Sequence, residues 1–173
     1  EGYIFIPPGG TNQFKFTAQP DWEPTAYGDG GSGNLIVSNT SGDNFTAPSD
    51  GYYNLTANLT TMKYTITKTN WSIIGDATPG GWTTDTPMTY DEASQVWVLN
   101  VDMTTAGSFK FRANNAWVID FGIDADGVML YADHNVFPYT PGLLNLTVPE
   151  DGNYIIILDL HDAGNYSYSL NKQ

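Results

Sequence analysis

The sequence predicts an all-β protein made of tandem β-sandwich units, and three observations predict the class. Tyr, Phe and Trp together number 24 and Gly and Pro 28 in 173 residues, while helix-favouring Ala, Leu, Glu and Lys are sparse beside Thr, Asn, Tyr, Val and Ile. That mixture suits short pleated strands joined by tight turns. Apolar runs with period-2 alternation recur between turn signals roughly every eight to twelve residues, the spacing of a sandwich. Finally, one long stretch occurs twice: FKFTAQPDWEPTAYG at 14–28 returns as FKFRANNAWVIDFG at 109–122.

Taken in order, the chain opens with the apolar run Tyr3-Ile4-Phe5-Ile6, closed by Pro7-Pro8-Gly9-Gly10. Phe14 and Phe16 share one strand face; Trp22, Tyr27-Gly28 and the glycine-rich turn 29–33 follow. Strands are expected at Leu35 to Val37, near Phe45, at Tyr53 to Ala57 and at Tyr64 to Thr67, with 48–51 (Pro-Ser-Asp-Gly) as a turn. The second unit matches this feature by feature. Phe109, Lys110, Phe111 and Trp117 answer Phe14, Lys15, Phe16 and Trp22; Phe121-Gly122 answers Tyr27-Gly28; 149–152 answers 48–51; and 168–172 answers 64–68. Repeats of this length indicate tandem domains rather than a solenoid.

Residues 71–100 have little counterpart upstream. They contribute Trp71 to Asp76, a loop to Trp82, and strands near Met88 to Tyr90 and at Val96 to Val101, of which only the last answers Tyr3 to Ile6. The sequence therefore predicts a first unit at 1–68 that is N-terminally incomplete, the later strands of a preceding repeat, and a complete sandwich at 69–173. The incomplete unit would expose a sheet edge unless residues upstream of Glu1 cover it, which reads as a fragment of a longer protein. Only Lys68, Thr69 and Asn70 lie between the units, too few for a flexible tether.

Composition excludes several classes. Nineteen acidic against six basic residues give a net charge of −13, a field that repels phosphate backbones and anionic lipid, so nucleic acid is not an expected partner. With no cysteine there is no disulfide, zinc thiolate or thiol nucleophile, although the compartment stays open. No leader or apolar run of membrane-spanning length stands in the chain. Seven N-x-S/T sequons, beginning at Asn39 and ending at Asn165, are what an Asn- and Thr-rich chain produces by chance.

The candidate site follows from strand geometry. With Phe109 and Phe111 turned to the core, Lys110 and Arg112 face the other way, and Asn114-Asn115 then turn the chain toward Trp117. Trp82 stands in a loop, GDATPGGWTT, with little else to bury it. Two tryptophans at one end of a sandwich form a platform on which the C–H faces of a sugar ring stack, while Lys110, Arg112 and Asn115 donate hydrogen bonds to hydroxyls. Trp71 and Trp97 sit in strands and belong to the core. Trp22 with Lys15 and Tyr27 repeats half of the arrangement in the first unit, as a second site. Other chemistry finds less footing. Residues 124–127 (Asp-Ala-Asp-Gly) lack the third acid and distal glutamate of a calcium loop. Asp159, His161 and Asp162 read as a solvated turn, with His134 far off in sequence. No carboxylate pair suits a glycosidase, and no nucleophile elbow suits a Ser-His-Asp triad. No metal, cofactor or catalytic activity is expected.

GDATPGGW, FKFRANNAW and the closing DGNYIIILDL with YSYSL carry a resemblance. The chain resembles the carbohydrate-binding domains of the SusE/SusF family, outer-membrane lipoproteins of starch-utilisation systems in gut bacteria, well over 71–173 and as the later part of a preceding copy over 1–68. The resemblance implies a string of immunoglobulin-like domains, with Trp82 and Trp117 as platform and Lys110 or Arg112 with Asn115 as hydrogen-bonding partners. It further implies a non-catalytic polysaccharide binder of starch or α-glucan type at the cell surface. Such a protein is held at the outer membrane by an N-terminal lipid anchor not present in this chain, beside other glycan-uptake proteins. The alternative is a spacer module of such a complex without its own ligand. The first unit departs from the pattern, with Thr17 in place of Arg112 and Pro20-Asp21 before its tryptophan.

Overall fold

The computed structural model describes residues 1–173, the side chains of Trp22, Glu23, Pro24 and Ser41 excepted. The chain is all-β, with no α-helix among the described residues. It divides into two compact units, Glu1–Lys68 and Thr69–Gln173.

The first unit contains β1 (Gly2–Ile6), β2 (Gln13–Phe14), β3 (Phe16–Gln19), β4 (Asp21–Asp29), β5 (Leu35–Val37), β6 (Phe45–Thr46), β7 (Gly51–Asn58) and β8 (Lys63–Lys68). They form one sheet ordered β1-β7-β8, a second ordered β3-β4-β5, and the pair β2-β6. Ile6, Ala47, Tyr53 and Leu55 make a core onto which Ile4, Phe14, Phe16 and Ile66 pack. Phe45 is fully buried, with the rings of Phe16 and Tyr64 at 5.0 and 4.6 Å meeting it edge-on, the geometry aromatic quadrupoles favour.

The second unit contains β9 (Trp71–Gly75), β10 (Gly81–Pro87), β11 (Thr89–Asp91), β12 (Val96–Met103), β13 (Lys110–Ala113), β14 (Asp120–Ile123), β15 (Met129–Asp133), β16 (Gly152–Asp159) and β17 (Ser167–Lys172). A five-stranded sheet runs β10-β9-β13-β14-β15 and a four-stranded sheet runs β11-β12-β16-β17, an arrangement consistent with a β-sandwich. Alternation explains the core. On β16, Tyr154, Ile156 and Leu158 are buried and their neighbours are not. Facing them lie Trp71, Ile73, Phe111 and Phe121, all essentially without exposure. Trp97 on β12 joins the same core.

The duplication survives as hydrogen-bond register. Phe16 pairs with Tyr27, and Phe111 pairs with Phe121. The orders β1-β7-β8 and β3-β4-β5 recur as β12-β16-β17 and β13-β14-β15. The Tyr53 hydroxyl donates to the Ser49 carbonyl at 2.9 Å, and the Tyr154 hydroxyl donates to the Glu150 carbonyl at 2.9 Å. Strands answering β9, β10 and β11 do not occur among the described residues of the first unit.

Candidate functional site

The outer face of the five-stranded sheet holds the site. Strand register puts Ser72 opposite Arg112 and Ile74 opposite Lys110, while Arg112 also faces Asp120 on β14. Because Phe111 and Ile73 take the inner face, these polar side chains share the outer one. Next to them, β10 pairs Pro87 with Ser72 and Thr86 with Ile73, then slips register toward Gly81. Asp85 lies within that slip and comes to Arg112.

The β13–β14 connection folds back over this face. Asn114 and Asn115 both take left-handed conformations, with φ of 57° and 54°, which asparagine tolerates better than most residues. The Ala116 amide closes the turn onto the Ala113 carbonyl at 3.1 Å. The Asn114 side-chain oxygen accepts from the Asn70 amide at 2.9 Å and anchors the turn to the start of β9. Trp117 therefore comes to rest over Arg112, whose guanidinium carbon is 4.5 Å from the ring centroid, with the Lys110 ammonium at 6.0 Å. Cation–π attraction favours this stacking.

Trp82 reaches the same place from the other side. The segment preceding it is tied down rather than loose. The Thr78 amide and hydroxyl both donate to the Gly75 carbonyl at 2.8 Å, and the Ala77 amide donates to the Ser108 carbonyl at 3.2 Å. Gly75 itself has φ +146°, and a Cβ there would lie 2.1 Å from the Ser108 oxygen. Trp82 and Trp117 stand with ring centroids 6.2 Å apart at 37°, and they are 36% and 49% exposed. Two indoles of that size left this open form an apolar surface that a core would have used.

The electrostatics behind the indoles are closed. Arg112 is buried and gives Nε to Asp85 at 2.8 Å and Nη2 to the other carboxylate oxygen. The Ser72 hydroxyl, 2.6 Å from Asp85 and 3.1 Å from the Arg112 carbonyl, braces the pair. The Arg112 guanidinium holds the Asp85 carboxyl below the usual carboxylate range, against the opposing cost of burial and with help from Ser72. Lys110 pairs with Asp120 at 2.6 Å. Asp120 has no exposure; burial pushes its carboxyl upward despite Lys110, and the charge on Asp133 pushes the same way.

Of the residues expected at the site, Trp82, Trp117, Lys110 and Arg112 come together, and Asn115 is exposed in the turn that carries Trp117. Two placements differ from expectation. Trp82 belongs to β10 rather than to a loop, because Gly81 already pairs with Gly75 and the register slips only beyond it, before Thr86. Arg112 is turned away from the core, as the alternation requires, yet it is covered by Trp117 and committed to Asp85. In the first unit, the Lys15 ammonium is 2.7 Å from the Ser38 carbonyl and 3.2 Å from its hydroxyl, Tyr27 is half-buried on β4 opposite Phe16, and the Trp22 side chain lies outside the described residues. The Asp124 carboxylate accepts from the Asp126 and Val128 amides at 2.9 and 2.8 Å, so it caps its own turn. His161 pairs with Asp159 in an exposed turn. Among the described residues no group of three His, Cys, Asp or Glu could hold a metal ion, and no helix is long and apolar enough to cross a membrane.

Sequence reasoning missed Asp85, Ser72 and Asp120. One signal was there: with nineteen acidic residues against six basic ones, an arginine on a strand has carboxylates in plenty to meet it, although nothing marks which. Fold and site together define an all-β chain with an open indole pair backed by compensated ion pairs. Neither protein-family models nor curated proteins nor solved structures yield a match to this chain.

Proposed function

We propose that the second unit is a non-catalytic, immunoglobulin-like carbohydrate-binding domain, and that Trp82 and Trp117 are the platform on which a polysaccharide lies. The observation that carries this reading is the pair of half-exposed indoles at 6.2 Å and 37°. Sugar rings present C–H faces to such surfaces, and tilted planes suit a chain that curves, as α-linked glucans do, better than a flat ribbon. The tyrosine bonded to the carbonyl four residues upstream, present in both units, supports the immunoglobulin-like part of the reading. Together with the resemblance to SusE/SusF domains, these features favour a surface-held module of an outer-membrane glycan-uptake system, anchored through lipid outside this chain. A shallow platform binds weakly by itself, and several on one chain raise retention through effective concentration.

The test is affinity electrophoresis through an α-glucan gel. Trp117→Ala abolishes retardation while moving the thermal midpoint by no more than a few degrees, because the ring is half exposed. Loss of folding in that variant would show the indole to be a structural cover, which is what the alternative of a ligand-free spacer requires.

A further inference from the structure

Every lysine and arginine of the second unit has a carboxylate partner: Lys110 has Asp120, Arg112 has Asp85, and Lys172 has Glu150. The chain as a whole carries −13. At the platform the compensation is most complete, since the guanidinium fork that would receive an incoming carboxylate is already occupied from within by Asp85. An arginine beside an aromatic ring with its fork open is a receptor for carboxylate or sulfate. Here that receptor is filled, and Ser72 holds the filling group in place at 2.6 Å. The lowered Asp85 carboxyl keeps its charge through neutral and mildly acidic conditions.

We infer that the Trp82–Trp117 platform selects neutral sugar rings and rejects uronates and sulfated saccharides, and that Asp85 is the residue that determines this selectivity by neutralising and orienting Arg112. The inference rests on the glycan-binding reading above. Its physical content is that the closed pair, buried behind the indoles with side chains only 9% and 8% exposed, puts no net charge beneath the platform, which suits a ring that carries none. An anion on the same indoles finds no uncompensated cation to offset the loss of its hydration, and the chain's net charge of −13 opposes its approach.

The experiment is calorimetric titration of the whole chain with maltohexaose and with hexagalacturonate, in the unaltered protein and in Asp85→Asn. Asparagine keeps the size and one acceptor for Arg112 while removing the charge. The unaltered protein binds the neutral hexamer and shows no measurable heat with the galacturonate. In Asp85→Asn the ratio of galacturonate to maltohexaose affinity rises about tenfold or more, as expected for releasing one cation in a screened site. Binding of the galacturonate as tightly as the neutral hexamer by the unaltered protein overturns the inference, whether or not the variant folds. Binding of the neutral hexamer with an unchanged ratio in a folded variant overturns the inference alone. Binding of neither sugar overturns the glycan reading and the inference with it.

Discussion

The two units share two three-strand orders, β1-β7-β8 with β12-β16-β17 and β3-β4-β5 with β13-β14-β15, and differ at the positions around the indole pair. Thr17 on β3 occupies the place that Arg112 takes on β13, as the registers Phe16 to Tyr27 and Phe111 to Phe121 establish. Lys15 reaches the Ser38 carbonyl and hydroxyl, whereas Lys110 reaches the carboxylate of Asp120. The larger difference lies in what stands beside these strands. In the second unit β9 and β10 flank β13 and bring Ser72, Asp85 and Trp82. In the first, a cavity of about 330 Å³ lined partly by Ile4, Phe14, Phe16 and Leu55 adjoins Phe16, the counterpart of the residue that pairs with β9. The site is thus a property of β9 and β10 as much as of the repeated strands. Thr17 shares a cavity with Asp21 of β4, but no described strand of the first unit answers β10, the strand that carries Asp85.

The comparison breaks most sharply at Gly75, which has no counterpart in the first unit. A Cβ there would sit 2.1 Å from the Ser108 oxygen and 2.5 Å from the Phe109 Cα, both backbone, at φ +146°. Neither neighbour can rotate away, and the conformation itself is strained for alanine. Gly75→Ala therefore destabilises the second unit by on the order of 3 kcal/mol or more, read as loss of slow amide exchange on β9 and β13 while β7 keeps its protection. Retained protection on β9 would show that the β9–β13 ladder yields more easily than these distances allow.

A smaller effect separates the matched strand positions. Arg112→Ala leaves the Asp85 carboxylate covered and without its cation, which costs about 3 kcal/mol, the lower end for a broken buried pair because Asp85 keeps its bond from Ser72. Thr17 is exposed, so Thr17→Ala changes stability by roughly 0.5 kcal/mol or less. Urea denaturation of the two variants measures both. Equal costs would mean that the ion pair contributes no more than a surface hydroxyl and that Arg112 is held by Trp117 alone.

How much of this was legible beforehand follows from which interactions are local. Alternation placed Phe109 and Phe111 inward and Lys110 and Arg112 outward, and the structure keeps that parity. Trp71 and Trp97, set within strand patterns, are buried, and Trp82 and Trp117 meet although 35 positions separate them in the sequence. Asp85 was invisible because nothing in Thr83-Thr84-Asp85-Thr86 distinguishes it from any acidic turn. Its meeting with Arg112 depends on the register slip between Gly81 and Thr86, a tertiary feature with no period to reveal it. The burial of Arg112 was hidden for a related reason. Two left-handed asparagines decide which way the turn carries Trp117, and a strand pattern cannot say that the outward face will be roofed.

The finest contrast lies in the shared corner. Tyr53 and Tyr154 are both about 1% exposed, and each hydroxyl donates to a carbonyl four residues upstream at 2.9 Å. Tyr53 has more: the Ser49 amide donates to its oxygen at 3.2 Å, and the Ser49 hydroxyl lies 3.2 Å away. Removing the Tyr154 hydroxyl leaves one carbonyl without its donor, worth about 1 kcal/mol. Removing the Tyr53 hydroxyl strands an amide as well as a carbonyl, which raises the cost to about 1.5–2 kcal/mol, since an unmet donor carries its own desolvation penalty. Tyr53→Phe is therefore the more damaging of two chemically identical substitutions. Native-state amide exchange on β7 in one variant and β16 in the other reads each unit separately. A larger loss from Tyr154→Phe would show that water replaces the Ser49 contacts freely, and that the first unit's corner is held by packing of the ring alone.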